Sequence, residues 1–336
     1  MSKVKLSYSK DRVEEAKEIR DRWYNHLPVE RTPYLFTVTP QKTESWLPGC
    51  PYNFKETGSD SKKAVDGNIL SIQHQFDTFP DCDYIPLMLL YYLGEGLLAA
   101  MYGADQVLDD NYPPFTKGRV YKNIYETQKM TVDIDIESTQ WGRILKEHVT
   151  AFADATNGEI PIGMPDYQSP YGTATKLMDN EELMMAMYDE PELVHEFAGK
   201  VTDAIINLIH TMEKWLGRDL LAYNQTLPIP GKRGFMLCDD YISVLTPKLH
   251  TEFFAPYNLK LYEHFGYGHL HTCGPYFEGY LDACLACKPM SLDVTGMRGM
   301  SKKKSDMLKF LSITSENNIR LFGWLDTNEN SIFERS

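Results

Sequence analysis

The chain's most chemically suggestive pattern is His271-Thr272-Cys273. In an extended segment, side chains two residues apart share a face, so this imidazole and thiolate can hold one ion. Zinc accepts such a nitrogen and sulfur mixture in tetrahedral geometry, and a catalytic zinc keeps one position open for substrate. Cys284 and Cys287 form a C-x-x-C further on. However, Tyr276 to Ala283 reads as the helix that follows the loop, which carries those two cysteines to its far side. Packing is therefore their expected role, as it is for Cys50 and Cys82.

Cys238-Asp239-Asp240 places a thiol and two carboxylates at the end of another apolar run. Such a carboxylate can accept a proton, bind a metal through oxygen or orient a histidine. Asp239 and Asp240 are thus the candidate catalytic groups, and Cys238 joins His271 and Cys273 as a candidate metal ligand. Helix capping is the competing role for the two carboxylates. Tyr223, Asn224 and Asp293 end other apolar runs and are candidate substrate contacts, together with His269 and His74. His269 shares the face of His271 but lies one layer deeper, where a satisfied core histidine is also a fair description.

These groups need elements to position them. Residues 10–25 read as an amphipathic helix and 34–38 as a short strand bounded by Pro33 and Pro40. Residues 41–69 are polar with scattered Gly and Pro, an irregular insertion longer than ordinary connections. Residues 84–101 are apolar on nearly every side and predict a buried helix, or two abutting ones. Strands are expected at 130–135 and 160–164 with a helix at 140–155 between them. A long helical stretch over 179–216 should break near Pro191.

The second half alternates more regularly. Strands are expected at 220–223, 234–238, 267–271, 290–294 and 319–323, and helices at 246–265, 276–287 and 301–315. Thr246 followed by Pro247 marks the start of the first of these helices. Short strands alternating with helices predict a parallel α/β sheet. No glycine-rich phosphate loop is present, so the length and alternation favour a single (β/α)8 TIM barrel over 1–336, with an N-terminal extension at 1–33. In such a barrel the groups at strand ends gather on one face.

Composition limits the partners. Lys+Arg number 34 against 47 Asp+Glu, giving a net charge of −13. Nucleic acid repels such a chain, and Lys302-Lys303-Lys304 reads as a solvated helix start. No apolar run approaches the roughly 20 residues of a membrane span. The charged N-terminus carries no apolar signal core, so a cytoplasmic location with reduced thiols is expected.

The stretch GFMLCDDYISVLTPKLHTEFFAPYNLKLYEHFGYGHLHTCG resembles the uroporphyrinogen decarboxylase superfamily. There a strand ending in aspartate leads to a Ser/Thr-Pro helix start, and a later strand ends in His-x-Cys-Gly. SPYGTATKLMDNEELMMAMYDEPELVHEF resembles its middle section, and LFGWLDTN its last strand end. The resemblance spans roughly residues 70 to 330 and implies a (β/α)8 barrel.

True decarboxylases of that superfamily carry an M-R-Q-A-G-R segment whose arginines hold a tetracarboxylate. Here Arg31-Thr32-Pro33 is followed by Tyr34 to Gln41 without arginine. A net −13 chain without those arginines is a poor receptor for a polyanion. The closer resemblance is to the zinc- and corrinoid-dependent methyltransferases, which share H-x-C. It implies His271 and Cys273 as zinc ligands, Asp239 near the site, and a separate corrinoid protein as partner. The third ligand of those enzymes is often a late cysteine. None occurs here up to Ser336, which leaves Asp239, Cys238, His269 or a group beyond Ser336. The expected substrate is a small methylated molecule, a methoxylated aromatic for example, or else a thiol acceptor. Zinc and cobalamin are the expected cofactors, and the resemblance admits a homodimer. A decarboxylase, and a non-catalytic barrel with a structural zinc, are the alternatives.

Overall fold

The computed structural model describes residues 6–36, 45–217, 219–225, 235–266, 268–272, 279–293 and 304–322. Helices α1 (Lys10–Tyr24), α2 (Phe54–Ser59), α3 (Ser61–Thr78) and α4 (Leu97–Met101) come first. The antiparallel pair β1 (Asp105–Val107) and β2 (Phe115–Lys117) follows, then α5 (Gln140–Thr156), α6 (Pro170–Leu177), α7 (Asn180–Asp189) and α8 (Pro191–Leu216). The rest alternates: β3 (Met236–Cys238), α9 (Pro247–Phe253), α10 (Ala255–Phe265), β4 (His269–His271), α11 (Tyr280–Ala286), β5 (Ser291–Asp293), α12 (Lys304–Glu316) and β6 (Arg320–Phe322).

Strands β3 to β6 form one parallel sheet in sequential order, with Met236 opposite His269 and Leu292 opposite Leu321. Backbone bonds extend the parallel row beyond β3. The Met236 amide donates to Tyr223 O, Leu221 bridges Ile162, and Ile162 bridges Met88. The alternation and the parallel sheet agree with the sequence; the pair of strands that would close a barrel is not among the described contacts. All residues of β3 and β5 are buried, as expected for a sheet covered on both faces. Helix α8 packs against α5, α6, α7 and α10, with Val194, Phe197, Val201, Ile205, Leu208 and Met212 buried at helical spacing. Among the described residues, no helix is long and apolar enough to cross a membrane.

Four expectations need correction. The segment at 41–69 is not irregular throughout: Asn53 and Glu56 form a reciprocal capping box on α2, and Asp60 caps α3. The apolar stretch at 84–101 is mostly extended through Met88 and reaches a regular helix only at α4, because Gly94 takes φ +79° and breaks the run. Residues 130–135 form no strand but a connection between two short 3₁₀ turns. At 34–36 there is also no strand, although the Asp83 amide donates to Tyr34 O at 2.9 Å. Two further expected strands, at 160–164 and 220–223, are reduced to isolated bridges at Ile162 and Leu221. The other described elements lie within a few residues of those expected, and α9 and α10 divide the helix at 246–265 where Pro256 removes an amide.

Helix α1 seats at the end of the strands opposite His271 and Asp293. Tyr24 Oη lies 3.0 Å from Ser291 Oγ at the start of β5, and Arg320 Nε donates to Trp23 O at 2.8 Å.

Candidate active site at the C-terminal end of the parallel strands

Strand β4 ends in His271 and β5 ends in Asp293, and the parallel pairing sets these ends side by side. Asp293 Oδ2 lies 2.8 Å from His271 Nδ1 and 3.9 Å from His269 Nε2. Burial pushes the Asp293 carboxyl up, but the two histidines outweigh it and hold the group well below the usual carboxylate range. A carboxylate on Nδ1 fixes the ring so that Nε2 is the ligand nitrogen, the arrangement commonly found behind metal-bound histidines. Asp240 Oδ1 stands 4.0 Å from that Nε2. The His271 and Asp240 side chains keep 14% and 31% exposure, so this corner is open to a small molecule. Cys273 lies outside the described residues.

Asp239, next along the chain from β3, has a different fate. It is fully buried, and its oxygens accept from His250 Nε2 (2.8 Å), Asn258 Nδ2 (2.7 Å) and Ser169 Oγ (3.0 Å). Burial raises its carboxyl, and His250, Asn258 and Ser169 together carry it below the ordinary value. Helices α6, α9 and α10 are thereby tied to the sheet, with Ser169 also capping α6. Cys287 Sγ is 3.4 Å from Asn258 Nδ2. Asp239, His250 and Cys287 offer ligand atoms within 4.8 Å of one another, so this buried group can hold a metal ion. The sequence reading assigns Cys287 to packing; its place beside Asp239 adds this second capacity.

The remaining candidates divide. His269 Nδ1 pairs with Ser291 Oγ at 3.0 Å, as a satisfied core histidine does. Cys238 is buried, with Sγ 3.5 Å from Gln225 Oε1. Tyr223 Oη bonds Glu213, and Asn224 is buried with its carbonyl accepting from the Met164 amide. His74 lies beside Gly49.

Sequence reasoning missed Asp166, Gln168, Lys176 and Glu95. Asp166 follows the extended segment at Ile162 and is 7% exposed. Burial, then Asp240 and Glu95, raise its carboxyl to about 7, against the pull of His271 and Lys176. Lys176 Nζ is paired with Glu95 Oε1 at 2.5 Å and stands 5.7 Å from the Tyr241 ring centre. A carboxyl perturbed by burial and by Asp240 makes Asp166 a further candidate residue of this site.

No protein-family model matches the chain, and no curated protein matches it either, so the superfamily resemblance rests on its motif residues. Among solved structures, the fold is similar to that of a methyltransferase from Methanosarcina mazei. The TM-score is 0.66 at 15% identity, over 92% of this chain and 82% of that one. At that identity the likeness speaks for the fold alone.

Proposed function

We propose that the protein is a zinc-dependent methyltransferase on a (β/α)8 barrel, moving a methyl group between a small methylated substrate and the cobalt of a corrinoid protein. The observation that carries the reading is the Asp293–His271 pair at the strand ends, which leaves Nε2 directed as a ligand. The likeness in fold to a methyltransferase supports it, as does the H-x-C motif.

The residues fit the ion: an imidazole backed by a carboxylate, the Cys273 thiol in the same motif, and Asp240 within 4.0 Å as an oxygen donor. His271 and Cys273 would hold it. When bound, zinc supplies Lewis acidity toward the heteroatom bearing the methyl group, or stabilises a thiolate acceptor. Asp293 keeps the His271 tautomer fixed, and Asp239 acts on the site indirectly by anchoring three helices to the end of β3.

A second reading has a specific observation in its favour: the fully buried Asp239, His250 and Cys287 group suits a structural ion enclosed away from substrate. One experiment separates the two. Bound zinc is measured in wild type, Cys273→Ala and Cys287→Ala, and each is assayed for methylation of free cob(I)alamin by a panel of methyl donors. Loss of metal and activity in Cys273→Ala alone supports methyl transfer. Loss of metal in Cys287→Ala as well favours the structural ion, and a metal-free wild type inactive with every donor sinks the proposal.

A further inference from the structure

Near the C-terminal ends of the parallel strands lies one buried carboxylate, Asp166, that the proposed function does not employ. Asp166 lies just past the extended segment hydrogen-bonded to Met88 and to Leu220–Asn224, before the chain bridges from Gln168 to Cys238. Its hydrogen-bond partner is Gln168 Nε2, a long 3.4 Å away. Gln168 is itself 2% exposed, and its Oε1 is buried without a partner. The side chain fits only because residue 172 is glycine, where a Cβ would come within 2.7 Å of Gln168 Cβ.

Charge makes the pair more unusual. The cations nearby are committed elsewhere: Lys176 is paired with Glu95, and His271 faces Asp293. Asp240 and Glu95 bear on Asp166 with the same sign and, with burial, push its carboxyl up to about 7. A carboxylate on which His271 and Lys176 pull less than burial, Asp240 and Glu95 push is costly to hold. An ammonium group relieves the cost, because it brings both a further positive charge and several N–H donors. The Gln168 amide can turn so that its carbonyl accepts one of them.

We propose that Asp166, with Gln168, is the specificity element that receives a protonated amine carried by the methylated substrate. The assignment rests on the methyl-transfer reading for the methylated part of that molecule, and on Asp166 alone for its cation. Anionic donors are disfavoured by the same carboxylates.

Three methoxylated probes of matched shape test this with the full-length protein: 4-methoxybenzylamine, 4-methoxybenzyl alcohol and 4-methoxybenzoate. Their dissociation constants are measured by titration calorimetry, and each is assayed with cob(I)alamin. The amine should bind at least tenfold more tightly than the alcohol, and the benzoate most weakly. Asp166→Asn, checked for an unchanged fold by circular dichroism, should bring amine and alcohol within twofold. Amine and alcohol within twofold in wild type overturn the proposal, a comparison that needs no variant. A preference that survives in Asp166→Asn overturns it too. A preference dependent on Asp166, in a protein that methylates cobalt from no donor, supports the cation seat while removing the methyl-transfer reading.

Discussion

His271 and Asp293 meet through Nδ1 and Oδ2 at 2.8 Å, across adjacent parallel strands. The carboxylate orients the ring and makes its nitrogen a better donor, so it acts on a metal it need not touch. Asp293→Ala should therefore weaken zinc binding by roughly 10–100-fold. Competition with a chromogenic chelator measures this. Wild-type affinity in Asp293→Ala, with metal lost in His271→Ala, would separate the pair from metal binding.

Asp239 supports a different expectation. Its carboxylate accepts from three side chains in full burial, so Asp239→Asn turns an amide N–H toward the donors of His250 and Asn258. Breaking a buried network of this kind costs about 3–5 kcal/mol. The sign of the pH dependence follows from the lowered carboxyl. Its contribution is fully present above the unfolded-state value of about 3.9 and disappears as pH falls through the lower folded value. Urea midpoints should therefore differ most between wild type and Asp239→Asn at neutral pH and converge toward strong acid. A constant difference down to strong acid would contradict the assignment.

The sequence made much of this frame readable, and the reasons are local. Thr246-Pro247 and Glu190-Pro191 announce helix starts because they act on adjacent amides, and both are found where expected. The segment at 84–93 was unreadable because an all-apolar run carries neither a helical nor a strand period. The site was legible only where both partners end predicted strands, as for His271 and Asp240. Ser169 meets Asp239 across 70 residues, and His250 and Asn258 reach it from helices whose orientation no local pattern states. Asp166 escaped notice because it stands two residues past the strand expected at 160–164, and the groups that perturb it, Asp240 and Glu95, are distant in sequence. The capping box at Asn53 and Glu56 was, by contrast, visible in the letters and outweighed by the surrounding Gly and Pro.

Asp166 supplies a stability prediction of opposite slope. Its carboxyl rises from the ordinary 3.8 to about 7, so folding takes up a proton between those values. Stability then falls as pH rises through that window and is level above it. Asp166→Asn lacks the slope. It should match wild type below the window and exceed it at pH 8, by at most about 4 kcal/mol on a three-unit shift. Thermal melts across pH 4 to 8 check this, and a variant less stable than wild type at pH 8 would show that Asp166 already has its counter-charge.

The last expectation concerns how closely β4 must approach β3 for His271 to reach its place. A Cβ on residue 268 would stand 1.8 Å from Phe235 O, the same carbonyl that accepts from the His269 amide at 2.8 Å to open the strand pairing. Gly268→Ala must therefore push the two strands apart. That also strains the bond from the Asp239 amide to His271 O at the other end of the pair. The cost should be about 3 kcal/mol or more. Gly199→Ala is the matched control: it lies within α8, its added methyl meets only Tyr257 Cε1 at 3.7 Å, and the helix should gain about 0.5–1 kcal/mol. Denaturant midpoints of the two variants should move in opposite directions. If Gly268→Ala kept the wild-type midpoint, the β3–β4 register that sets His271 beside Cys238 would be wrong.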